Sequence, residues 1–223
     1  MSRALKLDQH GAERNLGAAS PILSELREVL AACPRERAGV RLHGVPGLSP
    51  LLAATAAIGR LAAARQGRAA QPVRAILFDK TPGTNWALGW HQDRTIAVRE
   101  RHSLPHYGPW SIKSGAQHVE PPFEIIERML TLRVHLDDVP DDNGPLLVAP
   151  GSHRLGRIAG ADIQSTVERC GSAACVALRG DIWCYATPIL HASAASAGHA
   201  HRRVLQVDYA ATALPEPLEW LGV

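Results

Sequence analysis

At 223 residues the chain is long enough for one substantial apolar core, and it is expected to form a single domain over 1–223. Its formal charge of +3 comes from 24 Lys and Arg against 21 Asp and Glu, scattered rather than run together. That distribution argues against a nucleic-acid partner and leaves room for a small anionic substrate.

Four cysteines, Cys33, Cys170, Cys175 and Cys184, show no CxxC spacing, and the first residues carry no secretory leader pattern. The Ala-rich stretch 50–64 is too short for a membrane span and is interrupted by Arg60, so the expected setting is the cytoplasm, with no membrane partner. Oligomeric state is not legible.

Residues 1–72 read as an arm followed by supporting helices. Positions 1–19 are polar and aperiodic, which predicts a poorly ordered lead-in. Ser20-Pro21 then opens a helix whose stripe is Leu23, Leu26, Val29 and Leu30, ended by Cys33-Pro34. A short strand is expected at 40–42. Ser49-Pro50 opens a second helix with Leu51, Ala54, Ile58 and Leu61 on one face, closed by Gly67. Both helices are expected to pack on the outside of a sheet.

From Val73 the texture becomes short apolar runs divided by Pro, Gly and Asn, which predicts a mainly β core over 73–210. Strands are expected near 73–80, 88–91, 95–98, 131–136, 145–149, 174–178, 180–186 and 202–210. About eight strands suit a jelly roll. Between 99 and 130 lies a long excursion, expected to be a lid-like insertion ending in a helix over 122–130. There is no Walker loop, GxGxxG or GxSxG, and neither Ser111 nor Ser152 stands in a nucleophile context.

The chemistry concentrates at Trp90-His91-Gln92-Asp93. On a strand, His91 and Asp93 project to one face, so an imidazole and a carboxylate can share a metal. Eleven histidines make a chance HxD pair unsurprising. What lifts this pair is His191, which ends the apolar run 181–190 and supplies a third ligand. Two His and one carboxylate with open positions is the arrangement of non-haem Fe(II) oxygenases. Arg202 opens the last strand, and its guanidinium fork suits bidentate capture of a carboxylate at the depth of such a pocket. Arg203 alternates with it and is expected to face the other way.

Four elements, WHQD at 90–93, HLDDVPDDNGPLLVAPGSHR at 135–154, RGDIWCY at 179–185 and His191 with Arg202, together resemble the phytanoyl-CoA dioxygenase family over roughly 73–210. Asn143-Gly144 suits a tight hairpin turn in this pattern, and Pro150-Gly151-Ser152-His153 a second reversal. The resemblance implies a double-stranded β-helix binding Fe(II) through His91, Asp93 and His191, with 2-oxoglutarate as co-substrate and O2 as oxidant. His153, the rival third ligand, is structural in that motif. The resemblance also implies that the distal carboxylate of 2-oxoglutarate pairs with Arg202, assisted by the Ser193 hydroxyl. Arg133 stands where some members carry a tryptophan near the co-substrate.

The activity so implied is hydroxylation of a small metabolite with release of succinate and CO2. Related halogenases have a small residue in place of Asp93, so halogenation is not expected. The same oxidative chemistry can instead give desaturation, epimerisation or cyclisation, and a non-catalytic jelly roll binding 2-oxoglutarate or another ligand is a further alternative. Lys80, Trp86 and Trp110, with Arg101 and Lys113, lie near the metal strand or in the insertion, and would suit an anionic or amphipathic small molecule. The chain is short for an enzyme that must also hold a whole CoA moiety.

Overall fold

Where the sequence predicts a structureless lead-in, the computed structural model, which describes residues 4–34, 39–81, 85–196 and 202–223, shows order. A short helix α1 (Leu7–His10) is followed by a strand β1 (Ala12–Asn15). The anchor is Asp181, 3% exposed. Its carboxylate accepts the backbone N–H of Gly17 at 2.7 Å and of Leu178 at 2.8 Å, and the Arg14 Nε–H at 2.8 Å. A buried carboxylate with that many donors is worth more than the disorder it removes, so it ties β1 to the sheet.

A 3-10 turn at Ser20–Ile22 leads into α2 (Leu23–Leu30), which buries Leu26 and Leu30; Ser20 makes no capping hydrogen bond. Strand β2 (Gly39–Leu42) follows. The helix expected from Ser49 to Gly67 is two helices, α3 (Leu48–Leu52) and α4 (Gly59–Gln66). The break lies in 53–58. Gly59 packs so closely on the Ala53 carbonyl that an added Cβ would lie 2.1 Å from its oxygen, a reversal only glycine admits. The expected stripe survives only in part: Leu51 and Ile58 are buried, Ala54 and Leu61 are half-buried, and Leu52 and Ala62 take the deeper positions.

The β region then runs β3 (Gln71–Lys80), β4 (Leu88–His91), β5 (Ile96–Val98), β6 (Trp110–Lys113), β7 (Ala116–Val119), α5 (Phe123–Glu127), β8 (Leu130–His135), β9 (Leu146–Val148), α6 (Ile163–Cys170), β10 (Ala173–Cys175), β11 (Ile182–Ala186), β12 (His191–Ser193) and β13 (Arg202–Ala210). A six-stranded sheet has the order β1-β11-β8-β13-β3-β2, and a four-stranded sheet β10-β9-β12-β4. All pairings are antiparallel. The architecture is the mainly β jelly roll with flanking helices that the sequence predicts.

The segment 99–130 is less a lid than expected. β6 and β7 form a hairpin through Ser114 and Gly115, both at positive φ, and pair with β5 as a third sheet. Its apolar face, with Val98, Val119 and Ile126, packs with Leu218 and Trp220. Asn143-Gly144 also differs from expectation. It lies in the crossing from β8 to β9, which belong to different sheets, rather than in a hairpin.

The main apolar core lies between the six-stranded sheet and α2–α4, joining Leu26, Leu52 and Ile58 to Leu77, Leu132 and Val207. The opposite face of that sheet looks toward the four-stranded sheet. There its inward row turns polar and stays buried: Arg74 and Lys80 on β3, Arg133 on β8, and Arg202, Gln206 and Asp208 on β13. Among the described residues no helix is long and apolar enough to cross a membrane.

Candidate active site

A row of buried cations inside a β-sandwich is costly unless charge of opposite sign meets it. Asp93, just past the end of β4, supplies some of that charge, and beside it β4 and β12 pair with His191 directly across from His91. Their ring centroids lie 4.3 Å apart. Each ring sets its Nδ1 on the carbonyl two residues before it: Gly89 at 2.7 Å for His91, Ile189 at 2.9 Å for His191. With Nδ1–H donated to the backbone, the Nε2 lone pair of each ring is left to bind. Asp93 completes the group. One ligand atom from each of His91, Asp93 and His191 lies within 4.8 Å of the others, a set that could hold a metal ion.

The electrostatics suit a cation. Burial lowers the His191 pKa to about 4, so the ring is a neutral ligand across the physiological range. Burial of Asp93 works against its charge, but Arg74, 3.5 Å away, holds the carboxyl below the usual range. Asp93 Oδ2 is buried without a hydrogen-bond partner among the described residues. Arg74 is itself fixed from behind by Asp208, at 2.5 Å from its Nε, and Asp208 accepts a further bond from Thr131 at 3.0 Å.

Gln92, between His91 and Asp93, points the other way and has no signal of its own in the sequence. It is 4% exposed. Its amide donates to the carbonyls of Gly156 at 2.9 Å and Pro188 at 2.8 Å, and accepts the Ile158 N–H at 2.9 Å. The residue therefore staples the HxD strand to the loop before β12. Ser152 does the same for the other ligand, accepting the Leu190 N–H at 2.9 Å while donating to Ala149 at 2.7 Å. His153 faces Gly11, not the triad. Gln92→Leu is expected to lower stability by about 2–4 kcal/mol, because it leaves buried carbonyls and an N–H unpaired. Thermal unfolding checks this; a loss below about 0.5 kcal/mol, the level of an ordinary surface change, would contradict it.

A pocket of about 240 Å³ opens over the triad. Its lining includes Trp86, Arg133, Ser193 and Arg202 together with His91, Asp93 and His191. Lys80 lies beneath, fully buried, with its ammonium donating to Ser193 Oγ at 3.3 Å and the Ala194 carbonyl at 2.5 Å, and 4.8 Å from the Trp86 ring centre. Arg202 donates to the Gly144 carbonyl. Arg133 donates to Gln206 at 3.0 Å. The Nε of Arg133 and of Arg202 are buried without partners among the described residues. Two orphaned guanidinium donors and a buried ammonium fit a carboxylate. Trp110 is placed elsewhere: it packs beside the third sheet's core with Arg101 over its ring at 5.5 Å, outside the pocket lining. Arg203 faces away, as expected, and pairs with Asp137 at 2.6 Å.

Lys80 carries a pH signature. Burial first, then the neighbouring Arg202 and Arg133, lower its pKa to about 7. The unfolded chain holds that proton up to the ordinary lysine range, so between about pH 7 and 10 the unfolded state binds more protons and stability rises with pH. Lys80→Met is therefore expected to stabilise the co-substrate-free protein most at pH 7 and below, with the gain shrinking toward pH 10. Melting curves of both proteins at the two pH values test this; a gain independent of pH would contradict it.

The family model "Phytanoyl-CoA dioxygenase (PhyH)" matches residues 50–204. No curated protein matches the sequence. Among solved structures, AviO1 from Streptomyces viridochromogenes Tue57 superimposes with a TM-score of 0.64 at 18% identity, covering 94% of this chain and 93% of its own. EctD from S. alaskensis in its apoform gives 0.61 at 17% identity over 100% of this chain and 83% of that one. HygX from Streptomyces hygroscopicus, with nickel and 2-oxoglutarate bound, gives 0.59 at 16% identity over 92% and 84%. At these identities the likeness is one of fold.

Proposed function

The chain belongs to the phytanoyl-CoA dioxygenase family and is a 2-oxoglutarate-dependent non-haem iron oxygenase, and on that premise we propose that it hydroxylates a small metabolite, with release of succinate and CO2. The observation that carries the reading is the meeting of His91 at the end of β4, Asp93 just beyond it and His191 on β12, with both imidazoles turned by backbone carbonyls to present Nε2. These three residues would hold the iron. Iron with 2-oxoglutarate and O2, when bound, supplies oxidative decarboxylation coupled to attack on a substrate carbon.

The chain's own residues orient and enclose. Arg202 would take the distal carboxylate of 2-oxoglutarate, its fork free at Nε and steadied by the Gly144 carbonyl. Ser193, held by Lys80, would add a hydroxyl to the same group. Arg133, over the Phe78 ring at 5.3 Å, would complete the positive wall. Trp86 would close the side toward substrate. Arg74 keeps Asp93 ionised and fixed, so the carboxylate needs no rearrangement to bind. A pocket of about 240 Å³ supports a small substrate over a whole CoA ester.

Mass analysis of products formed with 2-oxoglutarate and iron tests the outcome. A product with one added oxygen atom and matching succinate supports hydroxylation. Loss of two hydrogens, or an inverted or cyclised product of unchanged composition or lower hydrogen count, would move the reaction to desaturation, epimerisation or ring closure on the same site.

A further inference from the structure

Two cations in the pocket lining have no part in the roles above, Arg41 and Lys113. They reach it from opposite directions. β2 alternates, so Val40 packs against the helix-side core and Leu42 lies within it, while Arg41, opposite Ile76, turns to the inner face. Lys113 arrives from the β6–β7 hairpin. The two segments touch, since Arg41 Nη1 donates to Ser114 Oγ at 3.4 Å.

Among the described residues neither cation has a carboxylate for a hydrogen-bond partner. Lys113 donates to Thr95 Oγ1 at 3.3 Å, and Arg41 Nε is buried without a partner among the described residues. Arg74, which is already paired with Asp208 and Asp93, adds repulsion rather than relief. Burial first and then these like charges lower the pKa of both half-buried groups, Asp93 offsetting part of the effect at Lys113. Retaining two such cations in a concave site is costly unless an anion meets them.

The co-substrate does not remove the excess. A divalent iron and a dianionic 2-oxoglutarate cancel, and Arg133 and Arg202 stand at the far wall to receive the latter. We propose that Arg41 and Lys113 form a second oxyanion site, which binds a carboxylate or phosphate group of the primary substrate and so places its reacting carbon over the iron. This rests on the function proposed above and narrows its substrate to small metabolites bearing such a group.

The test uses the full chain loaded with Ni(II) and saturating 2-oxoglutarate, titrated by calorimetry with inorganic phosphate, with acetate, and with glycerol as a neutral control. The visible band of the Fe(II)–2-oxoglutarate chelate, recorded first on each protein, reads the iron and co-substrate site on its own. Its absence from wild type would overturn the function reading, while the phosphate and acetate titrations still decide the cation pair.

Saturable binding of phosphate or acetate, weakened about tenfold or more in both Arg41→Met and Lys113→Met, with none for glycerol, is the expected result. Preference for phosphate or for acetate identifies which oxyanion the substrate carries. Absence of saturable binding to either anion in wild type, or binding unchanged in both variants as metal coordination alone would give, overturns the proposal.

Discussion

Asp93→Ala is expected to lose iron and all 2-oxoglutarate turnover while folding normally. The carboxylate is the only anionic member of the triad, and without it two neutral imidazoles face the metal. Since even residues that merely orient metal ligands cost ten- to a hundredfold when lost, removal of a ligand should weaken iron binding by more than about a hundredfold. The fold should survive for a specific reason. Arg74 keeps Asp208 at 2.5 Å, so no buried cation is stranded. Metal analysis after gel filtration, succinate assay and a melting curve check the three parts separately. Iron retained at wild-type stoichiometry would contradict the assignment of Asp93 as a ligand.

Arg202→Ala is expected to act on the co-substrate alone. Arg202 is 2% exposed, with one guanidinium nitrogen on the Gly144 carbonyl and Nε without a partner among the described residues. Removing a buried partner of a carboxylate costs about 2–4 kcal/mol, roughly 30- to 1000-fold in the 2-oxoglutarate requirement. Arg202→Lys should recover little, because a point charge cannot reproduce the fork. Steady-state kinetics over 2-oxoglutarate concentration measures this. A requirement within about threefold of wild type, a change of well under 1 kcal/mol, would shift the role to Arg133.

These expectations start from residues that were legible without a structure, and the reason is local. His91 and Asp93 are two residues apart, a spacing that brings both to one site although β4 ends at His91. His191 and Arg202 each open a strand, His191 beyond the apolar run that forms β11 as a strand of its own. What was not legible depends on contacts remote in sequence. Gln92 reads as a spacer within HxD, yet it joins residues 156, 158 and 188. Arg74 reads as one charge in an apolar strand, and only the pairing of β13 with β3 reveals Asp208 behind it.

Trp110 fails for the converse reason. Its place in the expected lid suggested the pocket, but the hairpin that carries it folds onto β5 and packs the half-buried ring against another core. The lead-in looked structureless because β1 has no apolar alternation of its own; Asp181, some 160 residues away, supplies what holds it. Arg41 was invisible because an arginine in a four-residue strand has no sequence signature of which face it takes.

The most direct test of the account is anaerobic addition of Fe(II), then 2-oxoglutarate, to the metal-free protein, following the weak visible charge-transfer band of the chelate. The expected result is a band that saturates with 2-oxoglutarate in wild type and is missing in Asp93→Ala. A folded wild-type protein that binds both partners without the band, or an Asp93→Ala variant that shows it undiminished, would contradict it.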